Sequence, residues 1–295
     1  MTDANSTVGT LSCLSSLALI TVSGADRFTF LQGQLTNDIT KLGNKLMSAG
    51  YCSPKGRLLA TPRLFQDGET IGMIVAASNA DYLVKRLRMY VLRSKVTIEL
   101  ADNREVAGFV GSAPTNLGND TRVFELPCAL PQTRIAAALP CGLGLAIVPK
   151  GTVSAGLEPL WWAASAAAGQ PWVFGETAER FTPHAVNLDL IGGISFNKGC
   201  YTGQEVVSRI EHIGKTNRRT IVLAANDPLD LAAGVDLQDA QGQTVATVVY
   251  SAKLADRTLL LAEVSTEVAQ GEAAIETTVA TMHRLPLPYG WNRKK

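Results

Sequence analysis

The residue types most able to do chemistry are concentrated in residues 197–205, which read NKGCYTGQE. Cys200 carries a nucleophilic thiol, and Lys198 places a cation two positions before it. Thr202 and Glu205 have the spacing of a capping box and precede an amphipathic pattern, which predicts that a helix begins there. A thiol ahead of a helix N-terminus and beside a lysine is favoured as the thiolate. The segment therefore predicts a reactive Cys200, with Lys198 as its candidate catalytic neighbour.

The same residues also have a purely structural interpretation. Thr202 and Glu205 can act as helix caps alone, and Cys200 can be a small buried side chain that fills a gap. Spacing by itself favours this structural interpretation. A reactive thiol therefore needs support from a further observation.

The other cysteines and the histidines show no spacing typical of a metal site or a disulfide framework. The cysteines are five, an odd number, no C-x-x-C motif occurs, and the three histidines are dispersed. We therefore predict no zinc or iron-sulfur site held by this chain alone, and a reducing environment. The residues concerned are Cys13, Cys52, Cys128, Cys141, Cys200, His184, His212 and His283.

The composition is that of a folded protein. The chain has 295 residues, of which 46% are hydrophobic and 18% charged, which excludes a disordered or coiled-coil protein and predicts two or three domains. The net charge of +1 predicts no general attraction to nucleic acid or to an anionic membrane. Because no basic residue precedes the first apolar stretch and no apolar run is long enough to span a membrane, we expect a cytoplasmic protein.

Turn and capping residues divide the first part of the chain into short strands and three helices that must position the motif. Capping residues at Ser23 and Ser78 predict two helix starts, Asp67-Gly68 predicts a hairpin turn, and residues 158–168 predict a buried helix. The predicted strands are 17–22, 47–52, 57–66, 70–76, 96–100, 106–111, 122–126 and 143–148.

The pattern of apolar and turn residues changes near residue 215, where we predict a domain boundary. Short β-type runs follow at even spacing, separated by turn residues, and this pattern is typical of a small closed or nearly closed β-barrel. The runs are 220–225, 244–251, 258–264 and 274–283.

A resemblance adds to this interpretation. Residues 187–205, which read NLDLIGGISFNKGCYTGQE, resemble the signature of the YgfZ family, the folate-binding relatives of the glycine-cleavage T protein. Weaker matches occur at residues 24–39, at 53–57 leading into 63–65, and at 285–289, so the resemblance extends in family order over nearly the whole chain.

The resemblance implies an α+β, T-protein-like multidomain fold around a central channel, with a C-terminal β-barrel. It implies a discontinuous first domain (residues 1–50 plus 152–214), an inserted second domain (51–151) and a barrel domain (215–295). It also implies tetrahydrofolate as the cofactor. The implied partners are iron-sulfur client enzymes, among them radical enzymes that modify tRNA.

The resemblance also suggests residues that contact the folate. Trp161 is similar in position to a folate-contacting tryptophan of the family, although the neighbouring Trp162 can shift this register by one, and core packing is an equally good interpretation of either ring. The other aromatic contact of the family falls at Leu17, so this chain lacks one of the two rings that contact folate in the family. The further candidate folate-binding residues are Asn37, Asp38, Tyr201, Gln204 and Glu205.

Aminomethyl transfer is not expected. The T protein carries acidic residues, one of them catalytic, where this chain reads Ala60-Thr61-Pro62, and proton transfer to nitrogen needs a placed acid-base group. Asp38 is a possible substitute, but Asn37-Asp38 is more simply interpreted as a turn or cap pair.

The leading hypothesis is a folate-binding accessory protein that supports iron-sulfur enzyme assembly or repair and, through those enzymes, tRNA modification. The alternatives are a folate-dependent one-carbon transferase or demethylase, and an interaction module with a vestigial folate pocket. Basic residues cluster in 85–95 and 209–219. We interpret both clusters as solvated helix faces and do not expect direct tRNA binding.

Overall fold

The computed structural model describes residues 9–115, 118, 120–126, 142–212, 214 and 216–290. The chain divides into two compact units, each built from separate stretches of sequence. Unit 1 comprises Met1–Leu14, Ala107–Pro171 and Asn217–Lys295, and unit 2 comprises Ser15–Val106 and Trp172–Thr216. The predicted boundary at residue 215 falls on a position outside the described residues, and the three-part domain division stays a prediction.

Short strands and a few helices make up the described chain, which confirms the predicted α+β class. The strands are β1 Ser12–Cys13, β2 Leu17–Ser23, β3 Met47–Ser48, β4 Tyr51–Cys52, β5 Leu58–Ala60, β6 Arg63–Asp67, β7 Thr70–Ala76, β8 Thr97–Leu100, β9 Arg104–Val110, β10 Arg122–Glu125, β11 Leu143–Pro149, β12 Arg218–Ala225, β13 Asp236–Gln238, β14 Thr244–Lys253, β15 Thr258–Ser265, β16 Ile275–Glu276 and β17 Thr281–Leu285. The helices are α1 Arg27–Gln32, α2 Ala77–Met89, α3 Glu158–Ala167, α4 Gln204–His212 and α5 Thr266–Gln270, with 3-10 turns at Ile39–Lys41 and Gly175–Thr177. Among these described helices, none combines the length and apolar character that a membrane crossing requires.

Unit 2 is organised around a five-stranded antiparallel sheet in the order β3-β6-β7-β2-β8. Helix α2 covers this sheet and buries Leu83 in the same core as Ile20 of β2. Asp67 and Thr70 pair at the end of the β6–β7 hairpin, and Gly68 between them has φ +57°. Glycine adopts this left-handed conformation without the steric penalty that a Cβ brings. The pairing and the glycine conformation confirm the predicted hairpin turn.

Three stretches that the sequence predicts as continuous strands are each divided in two, the third being residues 274–283, which contain β16 and the start of β17. Residues 57–66 form β5 and β6, with a break at Thr61 and Pro62. Pro62 has no N–H for a strand ladder, and the Thr61 hydroxyl accepts the N–H of Val173 at 3.0 Å. Residues 47–52 likewise form β3 and β4.

Helices α1 and α2 begin without the predicted local caps. Asp26 precedes α1, but its Oδ2 atom accepts the N–H of Lys95 at 2.7 Å instead of capping the helix. Ser78 lies inside the first turn of α2, and its hydroxyl accepts the N–H of Gly175 at 2.8 Å. Both side chains therefore join the helix start to a distant segment.

Unit 1 contains a six-stranded antiparallel sheet in the order β13-β14-β15-β12-β17-β16, curled into a half-barrel. A register shift between Val248 and Tyr250 marks a bulge in β14, and a bulge bends the strand that contains it. The N–H of Thr278, just after β16, donates to the carbonyl of Gln238 in β13 at 2.8 Å. The C-terminal barrel predicted from the strand spacing is therefore a half-barrel whose edge strands come close together.

Unit 1 also contains a four-stranded sheet in the order β1-β9-β11-β10, helix α3 and the short helix α5. Helix α3 is followed by Gly169 with φ +63°, and the carbonyl of Gly169 accepts the hydroxyl of Tyr289 at 2.9 Å. A left-handed glycine just past the last turn is a common way for a helix to end. The predicted helix at residues 158–168 is confirmed.

Candidate functional site

Residues 197–205 lie in unit 2, in the loop that leads into α4. The helix begins at Gln204, which confirms the predicted helix start. The hydrogen bonds of the described residues do not include the predicted capping box of Thr202 and Glu205, and the side chain of Gln204 accepts from a backbone N–H ahead of the helix instead. The N–H of Tyr201 donates to Gln204 Oε1 at 3.3 Å, and the N–H of Gln204 donates to the carbonyl of Tyr201 at 3.1 Å.

Lys198 holds this loop to a second loop of the same unit. Its Nζ donates to the carbonyls of Gln32 at 2.7 Å, Leu35 at 2.6 Å and Asn37 at 2.9 Å. An ammonium group has three protons to donate, so these three carbonyls saturate it. Burial lowers the pKa of Lys198 to about 8, and the charge of Asp38 acts in the opposite direction. We therefore infer a positioning role for Lys198.

The lowered pKa of Lys198 has a testable consequence for stability. Its value of about 8 in the folded protein lies below the ordinary value of 10.5, so the buried charge opposes folding at pH below about 8, and this opposition fades as the pH rises toward 10.5. We expect the free energy of unfolding of the native protein, relative to Lys198→Met, to increase between about pH 7.5 and about pH 9.5. Urea unfolding of both proteins measures this difference, and a difference that stays constant would contradict the shifted pKa.

Asn37 stabilises the second loop. Its Nδ2 atom donates to the carbonyl of Ser48 at 2.7 Å and to that of Gly192 at 2.8 Å, and its Oδ1 atom accepts the N–H of Asp38 at 2.8 Å. The side chain amide thus joins three segments of unit 2. Its hydrogen-bonding groups are engaged within the protein.

Asp38 caps the 3-10 turn Ile39–Lys41, and the predicted turn or cap pair is confirmed. Its Oδ1 atom accepts the Thr40 hydroxyl at 2.7 Å and Gln32 Nε2 at 3.0 Å, and its Oδ2 atom lies 3.3 Å from Lys41 Nζ. The hydrogen bond from Thr40, followed by those from Gln32 and Lys41, holds the pKa of Asp38 at about 2. Asp38 is therefore ionised at neutral pH and poorly suited to donate a proton.

Two glycines allow the motif loop to contact a neighbouring turn closely. Gly203 has φ +82°, and a Cβ there would lie 2.5 Å from the carbonyl oxygen of Ser53. Gly56 has φ +68°, and a Cβ there would lie 2.7 Å from Cβ of Val206. Gly199, in contrast, has no atom within 4 Å of the place a Cβ would take. The weaker family match at residues 53–57 therefore packs directly against the main motif.

The described cysteines differ in accessibility. Cys200 is exposed, Cys13 is half-buried, and Cys52 is buried. Burial raises the pKa of the Cys52 thiol to about 12. Cys128 and Cys141 lie outside the described residues.

We expect iodoacetamide to alkylate Cys200 first. The reacting species is the thiolate, so the buried Cys52 thiol should react more than about tenfold more slowly near neutral pH. Peptide mapping by mass spectrometry over a time course measures the rate at every cysteine, including Cys128 and Cys141. Labelling of any other cysteine well before Cys200 would contradict this order.

Tyr201 and Glu205, two of the predicted folate-binding residues, lie in different environments. Tyr201 is buried, with its ring centre 5.1 Å from Lys198 Nζ, and burial raises the pKa of its hydroxyl far above the ordinary range. Glu205 is exposed on α4. Tyr201 thus packs under the loop, whereas Glu205 is accessible to a ligand or partner.

The segment that carries acidic residues in the T protein forms part of the core here. Ala60 and Thr61 are buried, and Arg63 is buried with its guanidinium 4.6 Å from the ring centre of Trp172. One nitrogen of Arg63 donates to the carbonyl of Thr61 at 3.1 Å. This segment therefore offers no carboxylate for acid-base chemistry.

Trp161 and Leu17 lie in different units. Trp161 belongs to unit 1 and has no exposed surface, and its Nε1 atom donates to the carbonyl of Gly144 at 2.8 Å. Trp162 lies edge-on to it, with ring centres 5.0 Å apart. Leu17 is buried in β2 of unit 2. In this structure Trp161 has the environment of a core residue.

The two basic clusters, at residues 85–95 and 209–219, are not uniformly charged helix faces. Arg86 of α2 lies over the rings of Tyr82 and Tyr90, at 6.0 and 5.9 Å from their centres. Arg218 forms an ion pair with Glu263 in unit 1. Lys215 lies outside the described residues.

Sequence reasoning missed one cluster in unit 2. His184, Asp189 and Glu211 each place a potential metal-ligand atom within 4.8 Å of the other two. His184 and Asp189 are five positions apart and Glu211 follows 22 positions later, a spacing that matches no common ligand motif. The sequence did contain one signal of this cluster, because His184 and Asp189 are polar residues in the otherwise largely apolar stretch 184–194.

Comparison with solved structures defines the class of fold. The crystal structure of the glycine cleavage system aminomethyltransferase T from Bartonella henselae matches with a TM-score of 0.67 over 97% of this chain and 88% of that chain. The sequence identity is 15%, so the match shows the fold alone. The protein has the T-protein fold, without the acidic segment that the resemblance associates with aminomethyl transfer.

Sequence relatives define the family more closely. The tRNA-modifying protein YgfZ of Shigella boydii is 31% identical over 305 residues, which cover 95% of this chain and 93% of that protein. The protein of the same name from Yersinia pestis is 31% identical over 307 residues, with 95% and 92% covered. No protein-family model matches the chain. The chain belongs to the family of the tRNA-modifying protein YgfZ.

Proposed function

We propose that this protein is a folate-binding accessory protein that supports the assembly or repair of iron-sulfur enzymes and, through them, tRNA modification. Its family membership supports the link to tRNA modification. The observation that carries the proposal is the exposed thiol of Cys200 in the family motif. Thiolates are the usual protein ligands of iron in iron-sulfur clusters, so an exposed cysteine suits a transient contact with a client or its cluster.

The loop that presents Cys200 is held on both sides. Lys198 joins it to the carbonyls of Gln32, Leu35 and Asn37, and the Tyr201 N–H donates to Gln204 after it. A loop that is already ordered loses little conformational freedom when a partner binds. We therefore assign Cys200 to contact with the client and Lys198 to positioning.

The motif region supports this role better than a transferase role. Aminomethyl or methyl transfer needs a group that moves a proton near neutral pH. Asp38 has a pKa of about 2, and the segment of Ala60 and Thr61 carries no carboxylate. A one-carbon transferase or demethylase is therefore the alternative rather than the leading proposal, and it predicts release of a modified folate over many turnovers.

Tetrahydrofolate is included in the proposal because of family membership and the T-protein fold. The predicted contact residues are largely engaged inside the protein: Trp161 is buried, and Asn37, Asp38 and Gln204 make internal hydrogen bonds. These hydrogen bonds hold the loops of unit 2 together. The proposal therefore includes folate binding without naming the residues that contact the folate.

Calorimetric titration with tetrahydrofolate tests the folate part of the proposal. We expect saturable binding of one ligand per chain, and no release of a modified folate during prolonged incubation. Absence of binding by the folded protein would remove folate from the proposed function. Sustained conversion of tetrahydrofolate would favour the one-carbon transferase instead.

A further inference from the structure

A histidine and two carboxylates meet where α4 ends in unit 2. His184 Nε2 lies 3.3 Å from Glu211 Oε2, and one carboxylate oxygen of Asp189 lies within 4.8 Å of the ligand atoms of both. His184 is 1% exposed and Asp189 is 7% exposed. The Glu211 side chain is 26% exposed, so the cluster is reached from solvent on its side.

The backbone holds these groups in place. Asn187, between His184 and Asp189, is fully buried with φ +59°, and its N–H donates to the carbonyl of His184 at 3.0 Å. The N–H of Leu188 donates to the carbonyl of Pro183 at 2.9 Å. The tight turn that these bonds close brings His184 and Asp189 together, and α4 supplies Glu211. The three side chains thus come from ordered backbone rather than from a mobile loop.

The donor set and its spacing suit a metal ion. One imidazole nitrogen and two carboxylate oxygens form a mixed ligand set that first-row divalent ions accept. Bonds from a metal ion to nitrogen or oxygen are about 2.1 Å long, so two ligand atoms on opposite sides of one ion lie about 4.2 Å apart. The three potential ligand atoms lie within 4.8 Å of one another and need to move by only a few tenths of an ångström each.

The charges favour the same ligand. Two carboxylates with a protonated His184 carry a formal charge of −1. A divalent cation with a neutral imidazole brings the formal charge of these three groups to zero. A simple His184–Glu211 ion pair is the alternative role of these residues.

We propose that His184, Asp189 and Glu211 bind one divalent first-row transition metal ion. Three protein ligands leave positions for water on the side of Glu211, where the cluster is open to solvent. The proposal is independent of the role of Cys200 and of folate binding, since none of the three residues lies within 197–205, although Asp189 lies in the longer family signature at 187–205.

Titration of the full-length, chelator-treated protein with Mn²⁺, followed by electron paramagnetic resonance of the unbound ion, tests the proposal. Mn²⁺ prefers oxygen and nitrogen ligands, so the exposed thiol of Cys200 interferes little. We expect one ion per chain. Because loss of an outer-shell partner alone costs about 10–100-fold, Glu211→Gln should weaken binding by more than about tenfold. Glu267→Gln, which removes an exposed carboxylate from α5, is the matched control and should bind as the native protein does.

Glu211 is partly exposed, so its variant should fold, and circular dichroism checks this; Asp189→Asn provides a second variant. Added Mn²⁺ should also raise the unfolding temperature of the native protein but not of Glu211→Gln. Absence of binding to the folded native protein, or equal affinity of the native and Glu211→Gln proteins, would overturn the proposal and leave a structural ion pair.

Discussion

Cells that carry Cys200→Ser in place of the native protein should show iron-sulfur client activity and tRNA modification at the level of cells that lack the protein. The substitution removes a soft ligand and nucleophile and replaces it with a hydroxyl of similar size. Because Cys200 is exposed, the free energy of unfolding should change by less than about 0.5 kcal/mol. Mass spectrometry of digested tRNA measures the modification, with the protein level checked by immunoblot.

The matched control for this prediction is Cys13→Ser. Cys13 lies in unit 1, away from the family motif in sequence, and is half-buried. We expect this variant to restore client activity and tRNA modification. Native activity in Cys200→Ser cells at equal protein level would restrict Cys200 to a structural role.

Gly203→Ala should destabilise the protein by about 3 kcal/mol or more. A left-handed backbone costs a residue with a Cβ about 1–2 kcal/mol, and Gly203 has φ +82°. The new Cβ would also lie 2.5 Å from the carbonyl oxygen of Ser53, which is backbone and can move only with its whole turn. Urea unfolding followed by circular dichroism measures the loss.

Gly199→Ala separates this effect from a general intolerance of the motif to substitution. Gly199 is four positions away in the same loop, and no atom lies within 4 Å of the place a Cβ would take. We expect its free energy of unfolding to stay within about 1 kcal/mol of the native value. Similar losses for Gly199→Ala and Gly203→Ala would contradict the close approach between Gly203 and Ser53.

Features decided by neighbouring residues could be predicted from the sequence. The hairpin turn at Gly68 and the helix that ends at Gly169 both depend on glycines next to short, regular patterns, and both form as expected. The even spacing of the C-terminal strands predicts a small closed or nearly closed barrel, and the structure has a curled half-barrel sheet there. The family motif identified Cys200, whose exposure agrees with the predicted reactivity but does not demonstrate it.

Features decided by distant partners could not be predicted in this way. The carbonyls that accept from Lys198 lie 161 to 166 positions away, and main-chain carbonyls have no signature in the sequence, so the sequence does not predict these hydrogen bonds. Ser78 is a plausible cap that bonds to Gly175 instead, 97 positions away. The sequence predicts a buried helix at residues 158–168 but leaves open whether the Trp161 ring contacts a ligand or packs in the core, where the structure places it.

Reversible blocking of the Cys200 thiol tests the central claim most directly. The purified native protein is treated with a methanethiosulfonate reagent until mass spectrometry shows complete modification of Cys200 and little at the other cysteines, and is then assayed for reactivation of an iron-sulfur client. We expect reactivation to be lost and then regained when a reducing agent removes the block. Full reactivation by protein that is completely blocked at Cys200 would contradict the account.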